Sequence, residues 1–230
     1  MTDSTQIRVV ADDIVLDGDL TLPAHPRALV LFAHGSGSSR HSPRNRYVAD
    51  ALVGEGVATL LMDLLTGEED RVDRQTREFR FDIGLLGRRL TGAVDWLAAD
   101  PRTAPLPVVT FGASTGAAAA LIAAADRPDR VVGVISRGGR PDLAADHLRR
   151  VRAPVLLVVG SRDPTVLDLN RIAASQLSGQ VQVVVVPGAT HLFEEPGTLD
   201  AVIGQAVDAL SRWLPPDGSA ARPRHPKGSG

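Results

Sequence analysis

Residues 107–125 read PVVTFGASTGAAAALIAAA. The stretch opens on the largely apolar run Val108-Val109-Thr110-Phe111 and turns through Gly112-Ala113-Ser114-Thr115-Gly116. It continues as an alanine-rich segment of high helix propensity. A buried strand, a turn of small residues and a helix therefore follow one another without a spacer. The turn fits G-x-S-x-G, with Ser114 at its apex. A serine on a tight strand-to-helix turn projects its hydroxyl above the sheet edge, and side chains two positions to either side would collide there. Gly112 and Gly116 remove those side chains. The first amides of the helix point to the same spot, so the Thr115 N–H is placed to meet a developing oxyanion. Glycine and serine are common in turns, and the flanking strand and helix are what give this match its meaning. The plain alternative is a Gly-Ser turn ahead of a buried helix.

The same alternation extends in both directions. Residues 7–11 and 14–22 read as two strands joined by the Asp12-Asp13 turn, and the second alternates apolar and polar. They are expected as an antiparallel hairpin at one sheet edge. Residues 28–33 (ALVLFA) form a nearly continuous apolar run, as in a strand covered on both faces. His34-Gly35-Ser36-Gly37-Ser38-Ser39 follows and reads as a flexible loop. A helix is expected over 43–55, with Pro43 in its first turn and Gly56 ending it. Residues 57–62 form the next strand. Residues 64–80 are crowded with Glu, Asp and Arg and read as a solvated charged surface, or as a mobile flap near the site. A helix over 81–98 carries Ile83, Leu86, Leu90, Val94 and Leu97 at helical spacing. After the Ser114 helix come strands over 131–135, 154–159 and 181–186, with helices over 142–149, 166–177 and 199–213 between and after them. Residues 1–214 are expected as one domain, and 215–230, rich in Pro, Gly, Ser and basic residues, as a disordered tail. Strands alternating with amphipathic helices predict an α/β fold. It would have an eight-stranded, mostly parallel sheet, helices on both faces and a minimal cap.

Composition narrows the function. A net charge of −2 carries no electrostatic footprint for nucleic acid or an anionic membrane. The chain has no cysteine, which removes disulfides, thiolate metal sites and cysteine nucleophiles. Its first residues, MTDSTQIRVVADD, lack the apolar core of a signal peptide, and no run approaches the roughly 20 apolar residues that span a bilayer. A cytoplasmic protein is expected. There is no G-x-x-x-x-G-K-[ST] phosphate loop and no H-E-x-x-H metal spacing, so neither metal nor organic cofactor is expected.

In a parallel sheet the site lies beyond the carboxyl ends of the strands. Ser114, Asp163 and His191 each fall just after a predicted strand, so one edge would collect all three. A serine hydroxyl needs a base, histidine suits that task near neutral pH, and the base needs a partner that fixes its tautomer. Of the six histidines, His191 alone follows a late strand; His225 lies in the tail, His25 in an early loop and His147 in a charged helix. Asp163 is the expected acid, with Asp168 its rival. A second oxyanion donor is expected from the Gly-Ser loop, the amide of Ser36 first and Gly37 next. His41 is a candidate substrate contact, and Arg137 and Arg140 are candidates to pair with a substrate carboxylate.

Elbow, oxyanion loop, acid and base, in the order Ser114, Asp163, His191, together resemble an α/β-hydrolase over essentially the whole chain to Trp213. The short length, the HGSGSSRHSPRN loop and the late GATHLFEEPG segment resemble its dienelactone-hydrolase-like branch. They look closest to small actinobacterial-type hydrolases of that group, some of which occur fused to phosphoribosyltransferase domains. Dienelactone hydrolases proper use a cysteine nucleophile, and Ser114 occupies that place here. The resemblance implies a serine esterase with a catalytic triad, acting on a small-molecule ester or thioester. Three other readings use the same residues: acyl transfer, a non-catalytic small-molecule-binding protein, and an interaction domain attached to another enzyme.

Overall fold

The computed structural model describes residues 4–214; the expected tail and His225 lie outside them. Eight strands form one sheet in the spatial order β1-β2-β4-β3-β5-β6-β7-β8. They are β1 (Ser4–Ala11), β2 (Ile14–Thr21), β3 (Leu29–Ala33), β4 (Ala58–Met62), β5 (Val108–Ala113), β6 (Val131–Arg137), β7 (Val155–Gly160) and β8 (Val181–Val186). The first two pair antiparallel, with Ala11 opposite Ile14. Asp12 and Asp13 both take positive φ, 52° and 60°, as a two-residue hairpin turn that follows the strand twist requires. From β3 to β8 every pairing is parallel, and β2 joins β4 antiparallel.

The continuous apolar runs become the strands with no exposed face. Every residue of β3, β4, β5 and β7 is buried. Helices cover both sides. One face packs against α1 (Pro43–Gly54) and α6 (Thr198–Trp213) through Val48, Leu52, Val202 and Leu210. The other packs against α3 (Ile83–Ala99), α4 (Gly116–Asp126) and α5 (Pro164–Ala174) through Leu90, Val94, the α4 alanines and Ala173. In α4 ten of eleven residues are buried. Its run of alanines lets the helix lie close against the sheet, with α3 packed alongside. No helix of the described residues is long and apolar enough to cross a membrane.

One expectation is refined by the structure and one is corrected. Residues 64–80 keep the largely exposed, charged surface that was expected but are ordered as a helix, because α2 (Gly67–Thr76) occupies most of them. Thr66 and Glu69 cap it reciprocally, each side chain accepting from the other's backbone N–H. Two of its acids are turned inward: Arg89 of α3 grips Glu69 at 2.5 Å, and Asp73, only 1% exposed, pairs with Arg80 at 2.5 Å. The helix expected at 142–149 is instead a 3₁₀ stretch (Pro141–Arg150), broken at Ala145 with φ 45° and ψ −124°.

The sheet order places the site. From β3 the chain crosses outward to β4, then returns to β5 on the other side of β3. The connections leaving β3 and β5 therefore diverge, opening a crevice at their carboxyl ends.

Candidate active site

Ser114 is the residue after β5 and adopts φ 50°, a left-handed conformation that costs a non-glycine residue of order 1 kcal/mol or more. The elbow can form only because both flanking glycines are bare. A Cβ on Gly112 would lie 2.5 Å from the Ala117 nitrogen, and one on Gly116 would lie 2.5 Å from the His34 carbonyl oxygen. The turn is held by β6, since the Ser114 N–H donates to the Arg137 carbonyl and the Arg140 N–H donates to that of Ser114. Thr115 caps α4 without a side-chain bond.

Beyond β8, His191 Nδ1 lies 2.7 Å from Asp163 Oδ2, and Asp163 sits between β7 and α5. The Nδ1–H donates to the carboxylate, which leaves Nε2 with its lone pair free. Asp168 points elsewhere, 71% exposed and paired with Arg171. The histidine loop is pinned by Glu195, whose carboxylate accepts from the Thr190 N–H at 3.1 Å and is held below the usual glutamate range chiefly by that bond. Phe193, with φ 56°, is buried beneath the loop.

The Gly-Ser loop was expected to be flexible, yet it is fixed at several points. Ser38 N–H donates to the Gly35 carbonyl, closing a turn in which Gly37 supplies φ 70°. Arg40 donates its backbone N–H to Asp63 and pairs with the same carboxylate through its guanidinium. Arg80, locked by Asp73, packs on Gly37, where a Cβ would lie 3.1 Å from its Nη1. Helix α2 thus buttresses the loop from behind. Among the described residues, neither the Ser36 nor the Thr115 N–H donates within the fold.

His34 adds a tie that sequence reading overlooked. Its Nε2 accepts from the Leu64 N–H at 3.1 Å and its Nδ1–H donates to the Gly35 carbonyl at 2.9 Å. Burial holds its pKa below the ordinary histidine value, outweighing the opposing pull of the Gly35 carbonyl and Asp63. The unfolded chain thus takes up this proton more readily than the folded one. Stability from a neutral His34 is complete above about pH 6.5 and is lost as pH falls through the lower folded value. We expect Tm to fall between pH 7 and pH 5. His34→Gln, which keeps an acceptor for Leu64 but cannot charge, should show a shallower fall; equal slopes would refute this.

Ser114 and His191 share one cleft of about 250 Å³, lined also by Ser36, Ser42, Arg44, Asn45 and Arg137. Gly37 and His41 are not on its wall. His41 Nδ1 meets Arg46 at 2.9 Å in a neighbouring surface hollow. Arg140 is taken by Asp142 at 2.8 Å. Arg137 is 6% exposed and makes only two bonds, to Asn45 Oδ1 at 3.2 Å and the Leu192 carbonyl at 3.4 Å. Burial, with Arg44 alongside, pulls its pKa down to about 10. Among the described residues, no group of three or more His, Cys, Asp or Glu is placed to hold a metal ion.

This geometry has clear relatives. The profile of the "Alpha/beta hydrolase domain" family matches residues 26–214. A Mycobacterium tuberculosis (strain H37Rv) protein named "Putative phosphoribosyl transferase" is 59% identical over 203 residues. That match covers 88% of this chain and 45% of the relative, so this chain spans less than half of that protein's length. The crystal structure of a dienelactone hydrolase from Anabaena variabilis is 52% identical, with a TM-score of 0.91, covering 93% of this chain and 99% of that one. Est1E from Butyrivibrio proteoclasticus shares the fold at 18% identity and a TM-score of 0.72, covering 90% and 99%. A strained serine between two obligatory glycines, set at the switch point of this sheet, accords with these matches, and the chain belongs to the α/β-hydrolase family, in its dienelactone-hydrolase-like branch.

Proposed function

We propose that the protein hydrolyses a small carboxylic ester or thioester through an acyl-enzyme on Ser114. One observation carries the reading: a serine held at positive φ opens into the same cleft as a histidine whose Nδ1 is engaged by a carboxylate at 2.7 Å. In this mechanism His191 Nε2 takes the Ser114 proton as Oγ attacks the carbonyl carbon. The Ser36 and Thr115 N–H groups receive the oxyanion, Asp163 stabilises the imidazolium, and His191 then protonates the departing alkoxide or thiolate. Water, deprotonated by His191, attacks the acyl carbon, and the carboxylic acid leaves with Ser114 regenerated. The longer relative carries a phosphoribosyl-transferase name, but the match covers 45% of it, and in this chain the hydrolase-family profile fills residues 26–214.

The test is intact-mass labelling with a fluorophosphonate. A single adduct is expected on the wild type and none on Ser114→Ala. Asp163→Asn should be labelled about 10³–10⁴ times more slowly, because the wrong histidine tautomer then faces the serine. A folded wild type that takes no adduct would overturn the proposal in favour of a binding protein.

A further inference from the structure

Both backbone groups of Ser114 are held by one loop, residues 137–140. The Ser114 N–H donates to the Arg137 carbonyl at 3.4 Å, and the Ser114 carbonyl accepts from the Arg140 N–H at 3.0 Å. The same loop touches the base. A Cβ on Gly138 would lie 2.9 Å from the His191 carbonyl oxygen and 3.7 Å from its Nδ1. Between these contacts Gly139 is wedged against the first turn of α4, where a Cβ would lie 2.5 Å from that of Ala117 and closer still to Ser136 Oγ. Nucleophile and base therefore take part of their spacing from where this loop sits.

A side chain from a third element seats the loop. Asn170 of α5 is fully buried, and its Nδ2 donates to the Gly139 carbonyl at 2.9 Å. Among the described residues nothing else donates to that carbonyl. The second Nδ2 proton goes to the Val166 carbonyl at 2.7 Å, which an α-helix already pairs with the N–H of residue 170. Asn170 Oδ1 is buried and accepts nothing. A buried asparagine with an unpaired oxygen is a costly way to fill space, and what it offers over a leucine of similar shape is the donor to Gly139. Helix α5 opens on Asp163, the partner of His191, about two turns before Asn170. One helix thus carries both the acid and the clamp on the loop that holds the nucleophile.

We propose that Asn170 is a positioning residue for the hydrolysis: its amide holds the Gly139 carbonyl, fixes the 137–140 loop, and so sets the spacing of Ser114 from His191. This rests on the ester-hydrolase reading of the cleft and adds a residue outside the cleft wall that governs its chemistry. Without the donor a buried carbonyl is orphaned, and the loop shifts to satisfy it, carrying the Ser114 backbone along. A misplacement of about 1 Å costs such a reaction about 10²-fold.

The test is the second-order rate constant for fluorophosphonate labelling of Ser114, with the final adduct yield and Tm read alongside. Asn170→Leu keeps the shape and removes the donor. Its rate constant should fall about tenfold or more while the folded protein still reaches one adduct per chain. Asn170→Asp has a donor only while its carboxyl is protonated, a state that burial beside the Gly139 and Val166 carbonyl oxygens favours. Its rate relative to wild type should be close to one at about pH 5.5 and fall about tenfold or more by about pH 8.5. A role in stability alone moves Tm and yield but leaves no such pH signature in the rate. A smaller fall in Asn170→Leu, or a ratio for Asn170→Asp that stays flat with pH, would overturn the proposal. If Asn170→Leu does not fold, the pH series on Asn170→Asp decides; if neither folds, the role is structural and the proposal fails. A wild type that takes no adduct overturns the hydrolase reading itself, whereas a labelled wild type with unaffected variants overturns only the role of Asn170.

Discussion

Ser114→Ala should lower kcat for an activated ester by about 10⁵-fold or more, with KM little changed. That loss corresponds to about 7 kcal/mol of transition-state stabilisation, far beyond what repacking one half-buried side chain produces. In the proposed mechanism the nucleophile and its base act as a unit, so the remaining rate would come from the oxyanion donors and binding alone. The backbone makes a second, independent demand on this position. Ser114 holds φ 50°, which an alanine must also hold and a glycine holds without strain. Ser114→Gly should be as inactive as Ser114→Ala but more stable than it by about 1 kcal/mol, or ~2–4 °C in Tm. Residual activity in both variants above a hundredth of wild type would remove Ser114 from the chemistry. Equal melting temperatures would remove the strain. Kinetics and calorimetry on the two variants thus separate the serine's chemistry from its geometry.

What could be read beforehand follows from how far each signal reaches along the chain. The buried strands were legible because a strand covered on both faces must be apolar throughout, as ALVLFA and PVLLVV are. The elbow was legible because its constraint spans five residues. Helix α2 was not, because it has no apolar stripe; the residue it buries is Asp73, satisfied by Arg80. The signal that would have found it is Thr66 followed three residues later by Glu69, a capping box. Arg137 and Arg140 looked equivalent in sequence, since both are arginines just past one strand. They differ because Asp142, two residues on, satisfies Arg140, whereas Arg137 ends β6 with its side chain among Asn45, Leu192 and Phe193. Those partners are 92 and 55 residues away in sequence for the first two, beyond the reach of any local pattern. The same holds for His34, whose tie to Leu64 spans 30 residues.

The elbow glycines lead to the second large effect. Gly116→Ala should cost about 3 kcal/mol or more, or ~6–12 °C in Tm, and abolish activity in whatever remains folded. Helix propensity predicts the opposite sign, because Gly116 is the first residue of α4 and alanine is favoured over glycine in a helix by about 1 kcal/mol. Sterics decide the outcome. The new Cβ would lie 2.5 Å from the His34 carbonyl oxygen and closer still to that of Ala33, and both are backbone atoms that no rotamer change can move. Relief requires β3 to part from α4, which shifts the Gly35–Ser36 turn that leaves β3 and misplaces the Ser36 amide relative to Ser114. Gly204, within α6, is the control, because a Cβ there meets nothing within 4 Å. Gly204→Ala should raise Tm by ~2–4 °C and leave turnover as it is. Thermal unfolding of the two variants, side by side, decides the matter. A Gly116→Ala protein as stable and active as the wild type would mean that the tight seat of α4 against β3 does not shape the elbow, and the placement of both oxyanion donors would have to be sought elsewhere.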